Sequence, residues 1–284
     1  MPHPPTPPAT SLKLPRILVV GDIHHEWQRA EALLQNLRSR YDQAVLLGDY
    51  FDDEGDTPAM AAATARWLAR SLARPERIHL LGNHDLSYIF PTNAHLWCPS
   101  FSGEKCLAIE AELKDAPIKH LRLAWAASGW LFSHAGLNRQ IATGGNAATL
   151  ARRVNALLPK LAEDHYEPWV APGHARGGLE KIGGVTWLDW EREFEPIAGL
   201  NQVVGHTPTP AAILGRHLRA DGKVVTVIIP ARGRQTRLGL DPAEGWSSVN
   251  WCLDTGLDLV AILHDQNLAA VRISAGGAVV ERSR

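Results

Sequence analysis

The chain has 284 residues, 45% of them hydrophobic, which is ample for a core in one large domain or two small ones. Its 29 Lys plus Arg against 30 Asp plus Glu leave a formal charge of −1, excluding the basic field that duplex nucleic acid requires of a main partner. Three cysteines, Cys98, Cys106 and Cys252, are odd in number and contain no C-x-x-C pair, which excludes a disulfide framework and thiolate-bound zinc and fits a reducing compartment.

Residues 1–14 are proline-rich and lack the apolar core of a signal peptide; no run approaches the ~18 apolar residues that span a membrane. They read as a disordered leader, and residues 15–284 as a single domain of a cytoplasmic protein. The first strand-type run, Ile17 to Val20, ends at Gly21-Asp22-Ile23-His24. Trp27, Ala30, Leu33, Leu34 and Leu37 then recur at helical spacing. A second strand, Ala44 to Leu47, delivers Gly48-Asp49-Tyr50-Phe51-Asp52. Thr57 as N-cap and Pro58 as first helical residue open a helix with Met60, Ala63, Trp67 and Leu68 on one face, ending before Pro75. A third strand, Ile78 to Leu81, leads to Gly82-Asn83-His84-Asp85. This alternation predicts a parallel sheet.

The stretch 86–119 has weak periodicity and reads as a cap over a site or as a surface helix pair with its own small core. Leu121 to Ala126 and Trp130 to Phe132 predict a hairpin around Ala127-Ser128-Gly129, followed by Ser133-His134-Ala135-Gly136. One helix is expected to carry Leu150, Val154, Leu157, Leu158 and Leu161. Val203-Val204 precedes Gly205-His206-Thr207, and Val224 to Ile229, Val249 to Leu253, Leu259 to Leu263 and Ala270 to Ile273 read as further strands. There is no internal repeat.

Five strand ends thus present Asp, Asn or His beside glycine, where a sheet protein holds ligands rigidly and leaves room for substrate. Two divalent cations ~3.5–4 Å apart require a bridging carboxylate, hard oxygens and imidazoles, and this inventory meets the requirement. The mixed donors suit Mn²⁺, with Fe, Zn²⁺, Co²⁺ or Ni²⁺ as alternatives, better than Ca²⁺ or an all-oxygen Mg²⁺ site.

These segments resemble the GDxH, GDxxD, GNH, His-Ala-Gly and Gly-His pattern of the calcineurin-like metallophosphoesterases. Asp254-Thr255-Gly256 is similar to a segment of their serine/threonine phosphoprotein-phosphatase branch. The resemblance implies an α/β fold of four layers, two packed mixed β-sheets flanked by helices, with the metals at the carboxyl ends of the strands. It implies Asp22 and His24 on the first metal, Asp49 bridging, and Asn83, His134 and His206 on the second. It further implies attack by metal-bound hydroxide, His84 protonating the departing alkoxide and Asp52 orienting His84. His25 follows a ligand where phosphatase relatives often carry glycine.

The chain departs from that branch after Asp52, where Asp53-Glu54-Gly55-Asp56 replaces a phosphate-gripping Arg-Gly. An acidic run there repels a dianion unless metals or other arginines compensate. Asp189 stands near the place of a second arginine, for which Arg139, Arg176 or Arg192 are candidate substitutes. Among the 10 tryptophans, Trp27, Trp187 and Trp190 lie near motifs where a base or sugar platform would form, whereas Trp67 exemplifies core packing. The favoured reading is a phosphomonoesterase acting on a phosphoprotein or small phosphoester. The rival is a phosphodiesterase or nucleotide pyrophosphohydrolase, such as a dinucleoside tetraphosphatase, and the remaining alternative is a non-catalytic scaffold.

Overall fold

The computed structural model describes residues 14–142, 144–209, 212–230, 245–264 and 267–280; of the expected leader, residues 1–13 lie outside the described residues. The chain begins β1 (Ile17–Val20), α1 (Trp27–Asn36), β2 (Gln43–Leu46), α2 (Pro58–Leu72) and β3 (Arg77–His79). β1 pairs with β2 and β2 with β3 in parallel, Val19 opposite Val45 and Val45 opposite Ile78, as the alternation predicts. Thr57 caps α2, its hydroxyl accepting the Met60 N–H at 3.3 Å, with Pro58 in the first turn. The buried stripe of α2 follows Ala61, Ala65, Leu68 and Leu72. Met60, expected on that face and within about 20° of buried Trp67, is nonetheless 41% exposed, in the first turn of the helix.

Within 86–119 the α-helices are the end of α3 (Asn83–Ile89) and all of α4 (Gly103–Leu113). Cys106, Ile109 and Leu113 of α4 enter the same apolar cluster as Trp67 and Leu68 of α2, so this segment shares the main core and does not form its own. β4 (Ala124–Ala127) and β5 (Trp130–Ser133) make the expected hairpin, its turn residues Ser128 and Gly129 at φ 51° and 80°. The single helix expected over Leu150 to Leu161 is two, α5 (Ala147–Asn155) and α6 (Leu158–Ala162). Pro159 lacks the N–H that an uninterrupted helix would need there.

The chain continues through β6 (Asn201–Val204), β7 (Ala212–Arg219), β8 (Val224–Pro230), β9 (Trp246–Ser248), β10 (Asn250–Cys252), β11 (Leu259–His264) and β12 (Asn267–Arg272). β7 had no sequence signal because Gly215 and His217 occupy two of its inward positions, erasing the apolar alternation. One sheet has the order β12-β11-β1-β2-β3; the other runs β4-β5-β6-β10-β7-β8, with β9 on β7.

Both sheets are mixed, since β11 runs antiparallel to β1 while β5, β6 and β10 are parallel. Successive side chains of β1 point to opposite layers. Ile17 and Val19 join Trp130, Phe132, Val203 and Trp251 between the sheets, whereas Leu18 and Val20 join Leu33, Leu34 and Leu68 beneath the helices. Burial on both faces explains why the strand runs read as continuously apolar. The expected fold of two sheets flanked by helices is therefore the observed one. Among the described residues no helix is long and apolar enough to cross a membrane.

Candidate metal centre

The carboxyl ends of β1, β2 and β3 meet those of β5, β6 and β10, and glycine lets them approach. A Cβ on Gly82 would lie 2.0 Å from Asp49 Oδ1, and one on Gly205 would lie 2.2 Å from Asp22 Oδ1. Left-handed backbone at His24, Asp49, Asp52 and His206, φ 39°, 47°, 65° and 69°, turns these side chains inward. Such conformations cost roughly 1–3 kcal/mol each and persist only where surrounding bonds impose them. Asp85 supplies several: buried, it accepts the N–H groups of Asp49, Tyr50 and Gly82, each at 2.8 Å. Sequence reasoning assigned Asp85 no role. Its signal was its place at the third residue of α3, from which an Asp reaches back to the helix start.

His134 Nδ1 donates to the Leu47 carbonyl at 3.0 Å, which fixes the tautomer because a carbonyl only accepts. Nε2 then faces Asn83 Oδ1 and His206 Nδ1, both at 3.1 Å, and Asp49 Oδ2 at 3.3 Å. His24 is set likewise: Nδ1 donates to the Asp52 carbonyl at 2.6 Å, and Nε2 lies 3.9 Å from Asp49 Oδ2. Two groups result, Asp22 with His24 and Asp49, and Asp49 with His134 and His206, the donor atoms of each lying within 4.8 Å of one another. Asp49 belongs to both.

All six candidate ligands are thereby brought together. The Asn83 amide is oriented by Cys98: Nδ2 donates to Sγ at 3.4 Å, and the thiol donates to the Asn83 carbonyl at 3.2 Å. No local pattern pointed to Cys98, which lies 15 residues from Asn83.

Electrostatics ask for cations here. Burial, then Asp254 and Asp49, push the Asp22 carboxyl well above the usual range, and burial also raises Asp254. Burial and then His134 push His206 well below the ordinary imidazole value, and its Nε2 is buried without a partner. Burial favours the neutral rings of His24 and His134, but Asp49 and Asp22 more than offset this and raise them to about 9 and about 10; the buried carboxylates thus demand positive charge, from ring protons or from divalent cations, which the oxygen and imidazole set fits.

Beside this cluster His84 Nδ1 lies 2.9 Å from Asp52 Oδ2, and the His84 backbone N–H donates to Asp49 Oδ1 at 3.1 Å. Asp52 also accepts from Tyr88 Oη, Ser100 Oγ and Lys105 Nζ, each at 2.6 Å. Burial opposes its charge, but the bonds from His84, Lys105, Ser100 and Tyr88 bring the carboxyl down to about 2. For His84, burial favours the neutral ring, and Asp49 and Asp52 more than offset this, raising its pKa.

The sequence model of the calcineurin-like phosphoesterases matches residues 15–210, more than half of the 284. The chain belongs to this family. It is a metallophosphoesterase, of a dimetal-dependent family that hydrolyses phosphorylated substrates. Comparison with curated proteins gives no match. Solved structures similar to it include a protein serine/threonine phosphatase from Saccharomyces cerevisiae, 16% identical, covering 96% of this chain and 83% of that one at a TM-score of 0.43. A putative diadenosine tetraphosphatase is 16% identical, with 92% and 95% covered and a TM-score of 0.39. A dimetal phosphatase from Danio rerio is 12% identical, with 90% and 96% covered and a TM-score of 0.39.

Around the phosphoesterase site the acidic run divides in two. Asp56 is turned inward, 3.0 Å from both Lys105 Nζ and His25 Nε2, and His25 Nδ1 meets Thr64 Oγ1 at 2.9 Å. Asp53 and Glu54 are exposed and, with His24, Asp52, His84 and Ser100, line a cavity of about 360 Å³.

A second cavity beside His84, about 520 Å³, is lined by Trp97, Arg176 and Trp187 among others. Arg176 Nε lies 3.0 Å from Asp189 Oδ2, so the aspartate near the expected arginine position holds this one. Arg139 instead pairs with Glu195 along a separate cavity, and Arg192 donates to the Ala175 carbonyl at 3.2 Å. The structure does not bring these two to His84.

Proposed function

We propose that this phosphoesterase hydrolyses phosphate monoesters, Asp22, His24 and Asp49 holding one cation and Asp49, Asn83, His134 and His206 the other. The observation that carries the reading is the His84 and Asp52 pair, 2.9 Å apart, tied by the His84 N–H to the shared carboxylate of Asp49. The cations, when bound, polarise the phosphoryl oxygens and activate a water molecule. Asp52 fixes the His84 ring through Nδ1, which leaves Nε2 to protonate the departing ester oxygen. Manganese is the cation we infer, on the mixed oxygen and imidazole donors. Residues 15–284 act as one domain, the segment 86–119 walling the site through Cys98, Ser100 and Lys105. Three buried free cysteines support a cytoplasmic setting.

The acidic wall of Asp53 and Glu54 favours a second reading, a diester or nucleotide pyrophosphate, which carries less charge at the reacting phosphorus. Metal-stripped protein restored with Mn²⁺ is assayed on p-nitrophenyl phosphate and on bis-p-nitrophenyl phosphate, beside Asp49→Asn. Metal- and Asp49-dependent preference for the monoester supports the first reading, and preference for the diester supports the second. No turnover of either ester with two metals bound refutes both for simple aryl esters.

A further inference from the structure

Trp97 is 48% exposed yet held in place. Its indole stacks on Phe101, centroids 4.6 Å apart and planes 12° from parallel, and its Nε1 donates to the Pro91 carbonyl at 3.0 Å. Phe101 lies 5.4 Å from the ring of Tyr88, whose hydroxyl donates to Asp52. Stack and hydrogen bond together remove the freedom of a large side chain that remains half in solvent, which core packing does not require. Trp97 lines the cavity of about 520 Å³ that also holds His84, Arg176 and Trp187, and no carboxylate lines it. The acidic residues Asp53 and Glu54 line the other cavity on His84. Among the tryptophans the sequence points to, Trp190 is 1% exposed and stacked on Phe194, and Trp27 packs against the helical core. Trp187 turns its ring toward His206, centroids 5.7 Å apart, at the wall of this cavity.

We propose that this cleft seats a planar aromatic ring carried by the leaving group of the phosphoester, stacked on Trp97 and reached by Arg176; this rests on the monoesterase reading above. A nucleobase fits it best: the volume holds a nucleoside, two indoles line it, and its one cation, Arg176, is positioned by its pair with Asp189, which does not itself line the cavity. Stacking on such a platform is worth roughly 5- to 150-fold in affinity per base.

The test compares adenosine 5′-monophosphate with ribose 5-phosphate, which share sugar and phosphate and differ only in the base, using the Mn²⁺-loaded full chain. Wild type is expected to prefer the nucleotide in kcat/KM by about that factor. Trp97→Ala should abolish most of the preference by lowering kcat/KM for the nucleotide far more than for ribose 5-phosphate, while Trp97→Phe retains it. A loss in Trp97→Ala seen for phenyl phosphate but not for the nucleotide supports the shelf and assigns the ring to a phenol. Equal wild-type turnover of both ribose phosphates, with phenyl phosphate indifferent to Trp97→Ala, overturns the inference alone, as does an equal fall on all substrates in both Trp97 variants. Turnover of none of the three by wild type overturns the monoesterase reading beneath it.

Discussion

Lys105 is buried between two carboxylates, and removing its charge should cost more stability than any surface substitution. Its Nζ lies 2.6 Å from Asp52 Oδ1 and 3.0 Å from Asp56 Oδ2, with the three side chains 7%, 3% and 9% exposed. Lys105→Met keeps the apolar stem and strips the cation. Asp52 then keeps His84, Ser100 and Tyr88, and Asp56 keeps His25, but neither retains its ammonium partner.

Breaking a buried pair from one side costs about 3–5 kcal/mol. For a chain of this size that is a fall in melting temperature of roughly 6–20 °C. Thermal and urea unfolding followed by circular dichroism measure it, and Asp56→Leu added to Lys105→Met should recover part of the loss by removing one stranded charge. A variant within ~1 kcal/mol of wild type would show that water reaches the network and refute the argument from burial.

His84→Ala should lower kcat by about 10²–10⁴ while metal content stays at the wild-type level; parallel loss of metal would place His84 among the ligands instead. Asp49→Asn should abolish activity and leave less than two metals per chain by elemental analysis after gel filtration, since both donor groups use that carboxylate. Chelation should lower the melting temperature reversibly, because metals held at ~100 times their Kd contribute about 2.7 kcal/mol; an unchanged melting point would mean the buried carboxylates need no cation.

Acid should weaken the Glu31 pair with Arg77. Hydrogen bonds from Arg77 hold this carboxyl at about 2, against 4.5 ordinarily, so its contribution is complete above pH 4.5 and is lost as pH falls through about 2. Glu31→Gln should accordingly cost roughly 1–3 kcal/mol at pH 7 and almost nothing at pH 2, in urea titrations at the two values.

The candidate metal ligands were legible because each sits in a local pattern, an apolar strand run closed by glycine and a polar donor, and the glycine is required where the next chain crosses. The cap at Thr57 and the hairpin at Ser128-Gly129 were legible for the same reason, both being contacts within a few residues. Where the pattern was interrupted by residues buried for other purposes, as Gly215 and His217 in β7, or where a proline divided one apolar stripe into α5 and α6, sequence periodicity misled. Strand ends, fold class and the donor residues at those strand ends were thus determined by the sequence itself, because local sterics and hydrophobic periodicity act over a few residues.

Only the tertiary structure decided that Lys105 neutralises Asp52 from 53 residues away, that Cys98 orients Asn83, that Asp56 faces inward while Asp53 and Glu54 face the cleft, and that Arg176 rather than Arg139 or Arg192 lines the cavity beside His84. These pairings join segments distant in sequence. Their energies depend on burial and on distances of a few ångströms, which the packing of two sheets and their helices sets and no short stretch of chain encodes.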